Sequence, residues 1–148
     1  MDIKIALPKG RLLGKTASLL QMAGWGMDGY HEQARLYHLK SSAYPNLSAK
    51  MFHERDIPIQ VAIGNYDLGI CGRDWVEELL AKYPSSAVVK IRDLGYGTGS
   101  LYMVAGLAGM EMGTLRRKAE RCTVRIVSEY ANLAESFALE ARLGRFSV

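Results

Sequence analysis

Ile3-Lys4-Ile5-Ala6-Leu7-Pro8-Lys9-Gly10-Arg11-Leu12 is the stretch that decides the fold. Residues 3–7 read as a short strand, and Pro8 and Gly10 break its pattern. From Arg11 to Ala23, apolar residues recur at Leu12, Leu13, Ala17, Leu19, Leu20 and Met22, a helical spacing that Gly24 ends. In open α/β sheets, ligands bind at the carboxyl ends of the strands. A helix N-terminus there offers free backbone N–H groups and partial positive charge to an anion. Lys9 and Arg11 add two full charges to the turn, so Lys9, Gly10 and Arg11 are candidate phosphate-binding residues. The plain alternative is an ordinary strand-to-helix turn with exposed basic side chains. The spacing of glycine and lysine is not that of a Walker loop.

Working outward, residues 35–40 and 47–52 alternate as strands do. Asp56 before Ile57-Pro58 reads as an N-cap with proline early in a helix that runs to about Gly64. Residues 66–72 read as a short buried strand, and Asp74 begins a helix to about Lys82. Strands are expected at 87–91, 101–105 and 123–127, helices at 113–121 and 129–143, and the start of a strand at 145–148. Strands alternating with helices at this spacing predict an α/β protein with a largely parallel sheet. The glycine-rich run 95–99 is the one credible internal boundary. A strand begun at 145–148 and left without a return connection suggests a piece of a longer chain.

Two further strand-to-helix turns carry candidate ligand residues. In Asp67-Leu68-Gly69-Ile70-Cys71-Gly72-Arg73-Asp74, Gly72 permits close approach of a ligand to the backbone, and Asp74 either faces the ligand or caps its helix. In Ser128-Glu129-Tyr130, Ser128 and Glu129 either cap a helix or present polar groups to the ligand. Asp93 ends a strand and could face a cleft. Gly95-Tyr96-Gly97-Thr98-Gly99 lacks the helix and the third glycine spacing of a dinucleotide fingerprint and reads as a hinge or crossover. His31, His38 and His53 suggest no catalytic triad, and no residue is assigned as catalytic.

The 148 residues are 49% hydrophobic and 23% charged, an ordinary globular balance with enough chain for a sizeable core. A net charge of +4 is too small and too scattered to argue for nucleic acid. The densest basic run, Arg116, Arg117, Lys118 and Arg121, reads as the wet face of a surface helix. Cys71 and Cys122 have no metal-ligand spacing and suit buried free thiols in a reducing compartment. No run approaches the roughly 20 apolar residues of a membrane span, and no signal peptide is evident. These features predict a cytoplasmic location.

Taken in order, Ile5-Ala6-Leu7-Pro8-Lys9-Gly10-Arg11-Leu12, Asp56-Ile57-Pro58, Asp67-Leu68-Gly69-Ile70-Cys71-Gly72, Asp93-Leu94-Gly95-Tyr96-Gly97 and Arg125-Ile126-Val127-Ser128-Glu129-Tyr130-Ala131-Asn132 resemble the ATP phosphoribosyltransferases of histidine biosynthesis. The resemblance implies a two-lobed fold like the type II periplasmic binding proteins. Residues 1–94 would form a first α/β lobe and 95–148 an incomplete second one. It implies that ATP and phosphoribosyl pyrophosphate bind in the cleft with Mg2+, and that the phosphoribosyl group passes to N1 of ATP. It also implies a homo-oligomer, with a separate regulatory subunit in the family's short form. Lys9 and Arg11 would serve the phosphates, and Asp74 and Asp93 would orient the nucleotide. Three departures stand out. His53 replaces an expected arginine, with Arg55 nearby, and Gly99-Ser100-Leu101 replaces Cys-Arg-Leu. The family's phosphoribosyl pyrophosphate loop would lie beyond Val148. A non-catalytic module of the same architecture, binding an anionic metabolite, is the alternative these departures raise.

Overall fold

The computed structural model describes residues 2–33, 37–106 and 109–148. Four strands form the main sheet: β1 (Ile3–Pro8), β2 (His38–Lys40), β3 (Leu47–Phe52) and β4 (Leu68–Gly69). Their order is β2-β3-β1-β4. Both β3 and β4 run parallel to β1, while β2 pairs antiparallel with β3 at the edge. Helices α1 (Leu13–Met22), α2 (Ile57–Ala62) and α3 (Arg73–Lys82) each follow a strand. Single turns of 3-10 helix, Gly10–Leu12 and Glu54–Asp56, lead into α1 and α2. Further along come α4 (Met112–Arg121), β5 (Val124–Arg125), α5 (Ala131–Glu140) and β6 (Phe146–Ser147), with β5 and β6 paired in parallel. The protein is thus a mixed α/β structure, as the alternation of the sequence predicts.

β1 is central because both of its faces are apolar, which suits a strand covered on both sides. Ile5 and Leu7 join Leu13 and Leu20 of α1 and Ala49 and Met51 of β3 in one buried cluster. Ala6 and Pro8, on the opposite face, are also buried, as is Ile57 of α2. A second, smaller cluster gathers Ala119, Ala138, Ala141 and Leu143, with Phe137, Val124 and Phe146 against it. The two clusters are joined through α3, which packs on α2 and on α5.

Several sequence expectations are corrected. Residues 87–91 and 101–105 form no strand among the described residues. Their side chains are of strand type, yet a strand needs a neighbour to take its N–H and C=O groups. Among the described residues no strand pairs with them, and Val89, Ile91, Tyr102 and Val104 are 80%, 79%, 82% and 86% exposed. Residues 95–99 therefore link two unpaired segments and not two strands. The strand expected at 66–72 pairs only over Leu68–Gly69, and that at 123–127 only over Val124–Arg125. The last helix spans Ala131–Glu140 and not 129–143. Of the strand expected at 35–40, His38–Lys40 is present, while residues 35 and 36 lie outside the described residues. Asp56 makes no side-chain cap, because it already belongs to the 3-10 turn that opens α2. The largely parallel sheet carries one antiparallel edge, β2. No helix among the described residues is long and apolar enough to cross a membrane.

Candidate functional site

Three parallel strands place their carboxyl ends on one edge of the sheet. Pro8 of β1 is in register with Phe52 of β3, and Ala6 of β1 with Gly69 of β4. The turns that follow therefore converge: Lys9–Leu12, His53–Asp56 and Ile70–Gly72. Backbone bonds continue the pairing into them, from Lys9 N–H to the Phe52 carbonyl (2.8 Å) and from Ile70 N–H to the Ala6 carbonyl (3.0 Å).

The first turn is held from beneath. The Tyr30 hydroxyl donates to the Pro8 carbonyl at 2.7 Å. Burial raises the Tyr30 phenol above its ordinary pKa, so it remains a donor at every physiological pH. Gly10 has φ +80°, a conformation that L side chains rarely adopt, although a side chain there would meet nothing within 4 Å. The demand for glycine at this position is therefore a backbone demand. Lys9 is half-buried, with its ammonium 5.2 Å from the centroid of the Tyr37 ring.

Arg11 does not project freely. Its Nε lies 3.3 Å from Glu54 Oε1 and its Nη2 donates to Glu54 Oε2 at 3.3 Å, a two-pronged contact. The same Nη2 lies 4.0 Å from Asp74 Oδ2. Asp74 sits in the first turn of α3, where its charge suits the helix end, and makes no side-chain cap. Its carboxylate instead lies so close to Gly72 that a Cβ at Gly72 would collide with it. A side chain at Gly72 would therefore displace the Asp74 carboxylate from its place beside Arg11. The Tyr130 hydroxyl donates to Asp74 Oδ2, and its ring packs on Trp75 with centroids 4.3 Å apart. Burial, then the Asp74 hydrogen bond, raises the Tyr130 phenol. Burial raises the Glu54 carboxyl despite the opposing pull of Arg11.

The structure therefore brings Arg11, Gly72 and Asp74 together, with Lys9 and Gly10 on the same turn. The other candidates are engaged locally. Asp93 Oδ1 accepts the Gly95 N–H at 2.8 Å, which shapes the glycine-rich segment. Ser128 Oγ accepts the Tyr130 N–H at 3.0 Å, so it orders the turn that sends Tyr130 towards Asp74 and does not cap α5. Glu129 is exposed beside it. Two members of the cluster, Glu54 and Tyr130, were not among the sequence candidates. Glu54 follows the carboxyl end of a strand just as Lys9 and Gly72 do, and the same rule applied at residue 54 would have found it. No group of three or more His, Cys, Asp or Glu that could hold a metal ion occurs among the described residues.

Cys71 lines the back of this cluster. Burial, with the Glu54 and Asp74 carboxylates adding to it, pushes its thiol up to about 12. Cys122 is exposed. Iodoacetamide at pH 8 is expected to modify Cys122 in the native chain and to reach Cys71 only after denaturation, because the thiolate is the nucleophile. Mass spectrometry of the digested protein checks this. Equal labelling of both in the native state would contradict the raised thiol of the partly buried Cys71.

Comparison with known proteins gives concordant similarities. A family model described as HisG, ATP phosphoribosyltransferase, matches residues 53–145. An ATP phosphoribosyltransferase from Thermosynechococcus vestitus is 31% identical over 135 residues, covering 91% of this chain and 60% of the relative. One from Aquifex aeolicus is 33% identical over 135 residues, covering 91% and 56%. A chain of the ATP phosphoribosyl transferase (HisG:HisZ) complex from Thermotoga maritima superposes with a TM-score of 0.62 at 17% identity, covering 98% of this chain and 63% of that one. The matched region is only 29% of the length of a relative from Nitratidesulfovibrio vulgaris.

Proposed function

The chain belongs to the ATP phosphoribosyltransferase family, and from that premise we propose that it forms the phosphate-handling part of an enzyme that makes phosphoribosyl-ATP. In this reaction, the first of histidine biosynthesis, the N1 lone pair of the adenine attacks C1 of the ribose. The bond from C1 to the pyrophosphate oxygen breaks, and pyrophosphate leaves with the electron pair. Such a reaction asks for positioning and for stabilisation of charge on the leaving group. The observation that carries the reading is the meeting of three strand-end turns, with Lys9, Gly10 and Arg11 of the first, Glu54 of the second, and Gly72 with Asp74 after the third.

Lys9 and the exposed edge of Arg11 supply cationic donors to phosphate oxygens. Asp74, steadied by Tyr130, would accept from the nucleotide. Asp93, Ser128 and Glu129 lie on segments that would face the same cleft in a two-lobed arrangement, with 1–94 as one lobe and 95–148 as part of the other. Mg2+ would enter on the substrates' phosphates and neutralise their charge, in keeping with its reluctance to shed water for an all-protein cage. The partnership named for the Thermotoga maritima complex, HisG with HisZ, extends by analogy to a homo-oligomer with a regulatory subunit here. A cytoplasmic setting suits the free thiols.

The test is direct. The intact gene product is given ATP, phosphoribosyl pyrophosphate and Mg2+, and phosphoribosyl-ATP is sought. Binding of both substrates without turnover would overturn the enzymatic reading. In the 148-residue chain, Lys9→Ala is expected to weaken ATP or pyrophosphate binding about tenfold, the loss of one charge-assisted contact. Circular dichroism should be unchanged. An unaltered dissociation constant by calorimetry would remove the turn from the site.

A further inference from the structure

We infer that Glu54 tunes the affinity of the phosphate turn: its carboxylate occupies the Arg11 guanidinium and restrains the turn's binding of free polyphosphate. This rests on the reading of Lys9–Arg11 as a phosphate site. Both contacts, Nε to Oε1 and Nη2 to Oε2, are 3.3 Å. They close one edge of the guanidinium fork, the edge that would otherwise match two phosphate oxygens. The Glu54 side chain is 9% exposed and that of Arg11 56%. The carboxylate is therefore the fixed member of the pair, and the arginine the member that can turn towards a ligand. Asp74 stands against the same Nη2.

The charges decide what this cluster attracts. Glu54 and Asp74 together outweigh Arg11, and Lys9 brings the group only to neutrality. A neutral turn draws a polyanion weakly from a distance. At contact, each phosphate oxygen must compete with Glu54 for Arg11. Taking the charge from Glu54 while keeping its shape removes that competitor and leaves Arg11 in place. Unit charges at this separation near a protein surface interact strongly enough for a change of about tenfold in binding.

The experiment is calorimetric titration of the 148-residue chain with inorganic pyrophosphate, without divalent metal and at low ionic strength. Glu54→Gln is expected to bind about tenfold more tightly than the unaltered chain. Glu54→Asp, which keeps the charge, is expected to stay close to the unaltered chain. The gain should vanish when Arg11→Ala is added, since the competition is for that guanidinium. If Glu54→Gln fails to fold, as judged by circular dichroism, Glu54→Ala is read in its place with the same expected sign. Equal or weaker binding by the folded charge-free variant overturns the inference, as does a gain that survives Arg11→Ala. Lys9→Ala separates the two levels of the argument. Lys9-dependent binding with no gain at Glu54 sinks this inference alone, whereas no binding by any variant sinks the phosphate site as well.

Discussion

Leu7→Ala is expected to lower the unfolding free energy by about 2–5 kcal/mol, the range for a fully buried leucine cut back to alanine. Leu7 has no exposed surface and lies in the central strand, in register with Met51 of β3. On its face of the sheet it shares a cluster with Leu13 and Leu20 of α1. Strands on both sides fix the backbone of β1, so the surroundings can relax only partly into the space left behind. The next residue, Pro8, carries the carbonyl that Tyr30 holds, and the residue after that is Lys9. Loss of packing at Leu7 is thus transmitted to the phosphate turn as well as to the fold. Urea unfolding followed by circular dichroism reads the effect as a lower midpoint with an unchanged slope. Ile3→Ala, at a position 38% exposed, is the control and should cost clearly less. A cost at Leu7 below about 1 kcal/mol would mean that the four-stranded sheet is not the rigid base of the site.

What could be read from the sequence follows from what is local. β1 and α1 were legible because their periods of apolar residues are complete and Pro8, Gly10 and Gly24 punctuate them. The turns at Lys9–Arg11 and Gly72–Asp74 were legible as turns because glycine follows a strand-like run and precedes a helical one in each. The segments 87–91 and 101–105 have the composition of strands, but composition does not supply a partner, and pairing is what makes a strand. The pairings within the site were hidden for the same reason. Glu54 meets Arg11 across 43 residues and Tyr130 meets Asp74 across 56, distances over which no local pattern speaks. A free cation at Arg11 was the reasonable reading of the turn alone, and the folded chain replaces it with a cation already engaged.

Glu78→Ala is expected to destabilise the chain by about 2 kcal/mol, the upper range for loss of a helix cap. Glu78 lies on α3, yet its carboxylate serves the N-terminus of α5. Oε1 accepts the Asn132 N–H at 2.8 Å and Oε2 accepts the Leu133 N–H at 2.9 Å. The Glu78 carbonyl also accepts Asn132 Nδ2 at 3.3 Å. The first N–H groups of any helix lack partners within it, and the residue at the N-cap position of α5, Tyr130, offers no side-chain cap. The cap is therefore delivered from a distant helix, and removing it leaves orphan donors at a packed junction. Tyr130 sits in the same junction, donating to Asp74 four residues before Glu78. Glu78→Ala and Tyr130→Phe should accordingly be non-additive by more than about 0.5 kcal/mol in a double-mutant cycle. Hydrogen exchange gives a readout at single residues: the amides of Asn132 and Leu133 should exchange faster in Glu78→Ala, and those of β1 should not. If those two amides keep their protection, α5 is held by apolar packing, through Ala138 and through Ala141 just past its end. Asp74 would then owe its place beside Arg11 to the stacking of Trp75 on Tyr130, and not to the cap.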